Sequence, residues 1–129
     1  MGNFFLQRFL SIKYALLGLK YVIQTQRNAW VHIIATILSI SFGLWLQIPT
    51  TDLAILLLSI IVVWATEIIN TAIECTVNLA CPEKNTLAKL AKDISAAGVL
   101  VTAFGAILIG FLLLAPPLWS RMHLLLASN

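Results

Sequence analysis

Charged residues are scarce in this chain. Its 129 residues include eight Lys or Arg and five Asp or Glu, so that 10% of the sequence is charged and 60% is hydrophobic. Soluble globular domains carry about 25% charged residues. The low charge therefore excludes an ordinary soluble domain, and we expect an integral membrane protein with one domain, residues 1–129.

The sequence has few cysteines and lacks the common glycine-rich motifs that bind phosphate. Cys75 and Cys81 are the two cysteines, and their separation of six residues puts them on different sides of a helix. They lack the spacing of metal ligands, so we expect free thiols. The sequence has neither a P-loop nor the glycine-rich loop of protein kinases, which excludes those two kinds of nucleotide site.

The first apolar stretch, residues 3–24, is interrupted by polar side chains. Lys13, Lys20, Gln24 and Arg27 recur at helical spacing and form a basic stripe along one side. We expect an amphipathic helix that lies at the membrane interface with this stripe towards the lipid headgroups. A buried core helix is the alternative.

Three longer apolar stretches follow, at residues 29–47, 53–80 and 87–115. Each is long enough, as a helix, to cross a hydrocarbon core of about 30 Å. Trp30 and Trp45 lie near the two ends of the first, as interfacial aromatic residues do. The expected fold class is an all-α membrane protein with an N-terminal interfacial amphipathic helix and three transmembrane helices.

Local signals suggest where these helices begin and end. Asp52 is a candidate cap for the second span, and Asn85 or Thr86 for the third. Pro116 and Pro117 are expected to end the third span.

Small residues recur every fourth position along the third span, which predicts a face for close helix packing in the same or a neighbouring chain. They are Gly98, Thr102, Ala106 and Gly110.

The basic residues indicate the orientation of the chain in the membrane. All but Arg121 fall on the side of the N-terminus and of the loop at Pro82; they are Arg8, Lys13, Lys20, Arg27, Lys84, Lys89 and Lys92. Basic loops stay in the cytoplasm, so we expect the N-terminus and the Pro82 loop to be cytoplasmic.

A polar stripe marks the end of the second span. Glu67, Asn70 and Glu74 follow the spacing i, i+3 and i+7, which places them on one helix face. Such residues are costly in a membrane unless they have a function. Glu67, half-submerged, suits a general base, whereas Glu74, nearer the headgroups, suits a ligand of Mg²⁺.

Lys92 and Asp93 add a cation and a second anion at the start of the third span. A base, a metal ligand, an amide and a lysine are the groups that phosphoryl transfer uses. An ion pathway and a structural polar cluster are the alternatives. His32, one turn inside the first span, is interpreted as a structural histidine.

Three segments carry a resemblance to a known family: EIINTAIE at 67–74, PEKNTLAKLAKD at 82–93 and AAGVL at 96–100. They resemble the small prokaryotic diacylglycerol kinases, a family that includes undecaprenol kinases, and the similarity covers nearly the whole chain. It implies a homotrimer in the inner (plasma) membrane of a prokaryote, with sites completed between protomers. It also implies transfer of the γ-phosphate of MgATP to a lipid hydroxyl, with ATP, the lipid and a second copy of the chain as partners and no nucleic acid.

The resemblance assigns roles to individual residues. Glu67 matches the proton acceptor that also contacts the lipid, and Asn70 matches the catalytic amide that supports it. Glu74 and Gln26 match metal ligands, and Ala96 matches a substrate contact. The matching nucleotide-binding positions are Tyr14, Gln26, Glu74, Glu83, Lys84, Asn85, Lys92 and Asp93.

Three positions depart from the family pattern. Gln26 stands where the family usually has a glutamate that binds metal, Asn85 replaces a common histidine and Asn78 a common aspartate. These changes concern metal affinity and turnover. The expected reaction is conversion of diacylglycerol to phosphatidic acid at the cytoplasmic face; an undecaprenol kinase and a non-enzymatic oligomeric transporter using Glu67 are the alternatives.

Overall fold

The computed structural model describes residues 2–127, and these residues form four α-helices. Helix α1 is Gly2–Thr25, α2 is Arg27–Leu46, α3 is Thr50–Ala80 and α4 is Thr86–Ala127. Helices α2, α3 and α4 are each long and apolar enough to cross a membrane. The all-α class and the three candidate spans are therefore confirmed, whereas the interfacial position of α1 stays a prediction.

The most extensive packing joins α3 and α4, and α2 lies against both. Helix α1 contacts α2 and α3. The buried apolar residues are few, namely Val22, Ala29, Leu46, Leu56, Val63 and Val99. Most large apolar side chains of the single chain are exposed, as expected where lipid or other protein surrounds a helix bundle.

Helix α3 extends beyond the thickness of the hydrocarbon core. Its 31 residues span about 46 Å, compared with about 30 Å of hydrocarbon. Glu67 lies about 26 Å from Thr50 along the axis. Helix α3 is therefore longer than a span of the hydrocarbon core requires.

The start of α3 differs from the prediction. The helix begins at Thr50 because the carbonyl of Pro49 accepts the first helical hydrogen bond, from the amide of Leu53 at 3.0 Å. Asp52 consequently lies inside the first turn and is not a cap. The cap predicted at Asn85 is confirmed, since its Oδ1 accepts hydrogen bonds from the amides of Leu87 and Ala88 at 2.8 and 3.3 Å.

The end of α4 also differs from the prediction. The helix does not stop at Pro116 and Pro117 but continues to Ala127. Two prolines remove two backbone donors, so the extension needs other support. Arg121 supplies it: its guanidinium donates to the carbonyl of Trp45 at 2.6 Å and lies 4.6 Å from the centre of the indole ring. This contact ties the extension to the end of α2.

The small-residue face of α4 behaves differently at its two ends. A Cβ at Gly98 would lie 3.6 Å from the side chain of Thr66 on α3, which is ordinary packing contact. A Cβ at Gly110 would meet nothing within 4 Å, because Gly110 and Ala106 line a cavity of about 260 Å³ between α2, α3 and α4. Packing within the chain is thus confirmed at Gly98. At Gly110 it is not found within residues 2–127 of the chain, and packing against a neighbouring chain stays a prediction.

Candidate active site

The polar stripe of α3 points inward, as its spacing predicted. Glu67 is fully buried, Asn70 is 5% exposed, and Glu74 is half-buried. Thr71 extends the buried part, and its hydroxyl donates to the carbonyl of Glu67 at 2.9 Å. The stripe therefore faces the other helices rather than lipid.

The carboxylate of Glu67 lies close to the side chain of His32. The Nε2 atom of His32 lies 3.6 Å from Oε2 of Glu67, and the histidine side chain is 12% exposed. Among residues 2–127, no hydrogen-bond partner is found for Nε2 of His32 or for either carboxylate oxygen of Glu67. The histidine interpreted as structural thus stands beside the predicted base. Its signal in the sequence was its depth, one turn inside the first span.

Asn70 connects two helices and is held at both ends of its amide. Its Nδ2 donates to Oε1 of Glu74 at 3.3 Å, and its Oδ1 accepts from the hydroxyl of Ser95 on α4 at 2.6 Å. Ser95 also donates to the carbonyl of Lys92 at 2.9 Å. Sequence reasoning missed Ser95, whose position three residues after Lys92 puts it on the same face of α4.

Glu74 meets Gln26 at the break between α1 and α2. Gln26 has an extended backbone, with φ −96° and ψ 119°, and its Nε2 donates to Oε2 of Glu74 at 3.3 Å. The break in the helices thus brings together two residues that the resemblance predicted as metal ligands.

The groups around Glu74 are of the kind that can bind Mg²⁺. The described part of the chain has no group of three or more His, Cys, Asp or Glu that could hold a metal ion. Around Glu74, however, are one carboxylate and the amides of Gln26 and Asn70. Mg²⁺ is commonly bound by one or two carboxylates together with phosphate oxygens of a substrate. The residues therefore fit an ion that arrives with phosphate, and not a dedicated protein-only site.

The loop between α3 and α4 borders an open cleft of about 690 Å³. Its lining includes seven polar residues, which are Asn78, Glu83, Lys84, Asn85, Thr86, Lys89 and Lys92. Lys92 donates from Nζ to Oδ1 of Asn78, so the asparagine that departs from the family pattern still binds this lysine. Asn85 uses its side-chain oxygen to cap α4. The cleft offers cations and amide groups to a polyanionic ligand.

Three predicted site residues lie apart from this cluster. Tyr14 on α1 is 65% exposed, and Asp93 and Ala96 are exposed on α4. The tyrosine of α1 that does reach α3 is Tyr21: its hydroxyl lies 3.7 Å from the Sγ atom of Cys75, and this interaction with Cys75 raises the pKa of Tyr21. Cys75 and Cys81 are free thiols, as predicted.

The site thus has a graded arrangement along α3. It runs from the buried Glu67, past Asn70 and Glu74, to the open cleft at Asn78, about 16 Å away along the helix axis. The Glu67 end of this line is enclosed by the helices of the chain, whereas the end at Asn78 opens into the cleft. The arrangement thus connects a buried carboxylate with an open polar cleft.

Comparison with known proteins identifies the family of the chain. The sequence model of the family described as prokaryotic diacylglycerol kinase matches residues 13–114. A diacylglycerol kinase of Synechocystis sp. is 37% identical over 114 residues, which cover 88% of this chain and 65% of the relative. The chain therefore spans slightly less than two thirds of the length of that relative.

Two further relatives are covered more fully. An undecaprenol kinase of Bacillus subtilis is 34% identical over 85% of this chain and 89% of its own length. A diacylglycerol kinase of Escherichia coli is 30% identical over 74% of this chain and 80% of its own length. With a family match over most of its length and three apolar helices, the chain belongs to the prokaryotic diacylglycerol kinase family of membrane lipid kinases.

Proposed function

We propose that this protein transfers the γ-phosphate of ATP to the hydroxyl group of a membrane lipid at the cytoplasmic face of the membrane. The observation that supports this most directly is the continuous polar line on α3, from the unpartnered buried carboxylate of Glu67 to the basic cleft at Lys92. In the proposed reaction the lipid hydroxyl is used at the Glu67 end of this line and the nucleotide binds at the end with the cleft.

In the proposed reaction Glu67 is the general base. Its carboxylate takes the proton of the lipid hydroxyl, the hydroxyl oxygen forms a bond to the γ-phosphorus, and the bond from that phosphorus to the bridging oxygen breaks to release ADP. A carboxylate oxygen that has no hydrogen-bond partner in the structure has its lone pairs available for that proton.

The remaining cluster residues position the nucleotide. Glu74, with Gln26 and Asn70 beside it, would hold a Mg²⁺ ion that shields the charge of the phosphates. Ser95 fixes the amide of Asn70, which in turn fixes the carboxylate of Glu74. Lys92, Glu83, Lys84 and Asn85 would contact the nucleotide from the cleft.

We infer that the functional form is a homotrimer. Tyr14, Asp93 and Ala96 are exposed and apart from the site in the single chain, and a neighbouring protomer that completed the site would account for them. The many exposed apolar side chains of the spans are compatible with such packing. The family supports the inner membrane of a prokaryote as the location, and the distribution of basic residues supports a cytoplasmic N-terminus and Pro82 loop.

Diacylglycerol is the lipid we propose first, with phosphatidic acid as product. The relatives from Synechocystis sp. and Escherichia coli are named diacylglycerol kinase, whereas the relative from Bacillus subtilis is named undecaprenol kinase. Undecaprenol is therefore the second candidate. A transporter using Glu67 as its ion-binding group is a weaker alternative, because it gives no role to the cleft at Lys92.

The test uses the purified full-length protein in mixed micelles with ATP labelled at the γ-phosphate. Diacylglycerol and undecaprenol are supplied separately, and Glu67→Gln serves as the matched inactive control. We expect label in phosphatidic acid with wild type and not with the variant. Label in undecaprenyl phosphate alone would reassign the substrate, and no label in either lipid would refute the proposed activity.

A further inference from the structure

The contact between His32 and Glu67 carries an inference about how the base is prepared. Glu67 is fully buried and the side chain of His32 is 12% exposed, both leave buried polar atoms without a hydrogen bond, and they approach to 3.6 Å. An unpartnered carboxylate inside a membrane bundle costs several kcal/mol unless a group compensates it. His32 is the polar group placed to do so.

The ring of His32 is itself held in position by its neighbours. Trp64 on α3 contacts it edge to face, with 6.0 Å between ring centres and an interplanar angle of 66°. The indole Nε1 of Trp64 donates to Oγ1 of Thr36 at 3.2 Å. Thr36 is four residues after His32 on α2, so the tryptophan is fixed by the same helix that carries the histidine. Trp64 on α3, which is itself hydrogen-bonded to α2, thus restricts the position of the His32 ring beside Glu67.

We propose that His32 is a positioning residue for Glu67, an inference that rests on the proposed lipid kinase activity. Its Nε2–H holds Oε2 of Glu67, so that Oε1 is the oxygen presented to the lipid hydroxyl. The present separation exceeds an ordinary hydrogen bond by about 0.6 Å. Contacts in unloaded active sites are often long and shorten when the substrate binds.

This role requires no proton transfer through the histidine. The proton of the lipid hydroxyl moves to Oε1 of Glu67, and the imidazole keeps its own proton throughout. What His32 contributes is the orientation of the carboxylate, which affects the chemical step more than the binding of ATP. The cleft that would hold the nucleotide lies at the far end of the polar line.

The test compares His32→Phe with His32→Gln in the full-length protein, using the lipid phosphorylation assay in mixed micelles. Phenylalanine keeps an aromatic ring against Trp64 and loses the donor, whereas glutamine keeps a donor. We expect His32→Phe to lower kcat roughly 10–100-fold, the range seen when the hydrogen-bonded partner of a site residue is removed, with KM for ATP unchanged. His32→Gln should recover most of the loss.

Ser39→Ala is the matched control, since Ser39 lies on the same helix, two turns further on, and lines the same cavity as His32. Its kcat should equal that of wild type. Combining His32→Phe with Glu67→Gln should add little to the loss caused by Glu67→Gln alone, because the histidine acts through the carboxylate. Melting temperatures in detergent show whether each variant is folded.

Three results would overturn the inference: a wild-type kcat in His32→Phe, equal losses in the phenylalanine and glutamine variants, or full additivity with Glu67→Gln. Each can occur while the wild type phosphorylates lipid and Glu67→Gln does not, and then only the role of His32 is wrong. A wild type that phosphorylates no lipid would refute the proposed function itself.

Discussion

Replacing Gln26 by glutamate is the sharpest test of metal binding at the break between α1 and α2. The amide of Gln26 donates to Oε2 of Glu74 at 3.3 Å, so Gln26→Glu removes a hydrogen bond to a charged group and puts a second carboxylate in its place. Both side chains are half-buried. The variant therefore brings two negative charges together without a donor between them.

The magnitude follows from this geometry. A hydrogen bond to a charged group contributes about 1.5–3 kcal/mol, and two unit charges about 4 Å apart repel by about 4 kcal/mol at an effective dielectric constant of 20. Partial exposure screens much of the repulsion, so we expect a net destabilisation of about 1–3 kcal/mol without metal. Mg²⁺ needs carboxylate oxygens, and the added charge favours it. The same ion should therefore restore the lost stability.

Two assays read this out. The melting temperature of Gln26→Glu in detergent should be below that of wild type in EDTA and should rise with Mg²⁺ and a non-hydrolysable ATP analogue by more than wild type does. In the kinase assay at fixed ATP, the Mg²⁺ concentration for half-maximal rate should fall several-fold. Glu74→Gln should abolish activity at ordinary Mg²⁺. If neither the melting curve nor the Mg²⁺ titration of Gln26→Glu differs from wild type, residue 26 does not face the metal.

Three further predictions follow from individual contacts. Glu67→Gln keeps the shape of the side chain and removes its ability to accept a proton, so lipid phosphorylation should fall roughly 10²–10⁴-fold. The oligomer should be unchanged in size-exclusion chromatography, and a rate within a few-fold of wild type would exclude Glu67 as the base. Ser95→Ala removes the hydroxyl that donates to Asn70, so it should lower the free energy of unfolding by about 1 kcal/mol and kcat several-fold. An unchanged kcat would show that activity does not depend on this hydrogen bond to the amide of Asn70. Gly98→Leu should lower the melting temperature in detergent because the side chain meets Thr66 on α3; an unchanged melting temperature would show that α4 does not pack closely against α3 at this position.

Periodicity predicted the part of the site that lies on one helix. Glu67, Asn70 and Glu74 share a face because a helix repeats every 3.6 residues, and this rule needs no knowledge of the other helices. The cap at Asn85 is local in the same way, since a side chain two or three residues away from the amides it binds needs only the turn of the backbone.

Contacts between helices could not be predicted in this way. That His32 reaches Glu67 depends on the relative register of α2 and α3, and that Ser95 reaches Asn70 depends on the register of α3 and α4. A single sequence contains no direct measure of either register. The prediction for Pro116 and Pro117 was wrong for a related reason: a contact 76 residues away in the sequence, from Arg121 to Trp45, supports the helix beyond them.

The uneven distribution of hydrogen bonds along α3 has a physical reason under the proposed function. Asn70 and Glu74 are bonded to neighbouring side chains, and a group that orients a nucleotide works best when it is already fixed before binding. Glu67 is different, because a base needs a free lone pair at the moment the hydroxyl arrives. A full set of protein hydrogen bonds would lower its basicity and would have to break first. Glu67, whose carboxylate has no hydrogen bond within residues 2–127, is thus the residue of the stripe that needs free lone pairs in the proposed chemistry. Its contact with His32 is longer than a hydrogen bond and involves only Oε2, so Oε1 stays free.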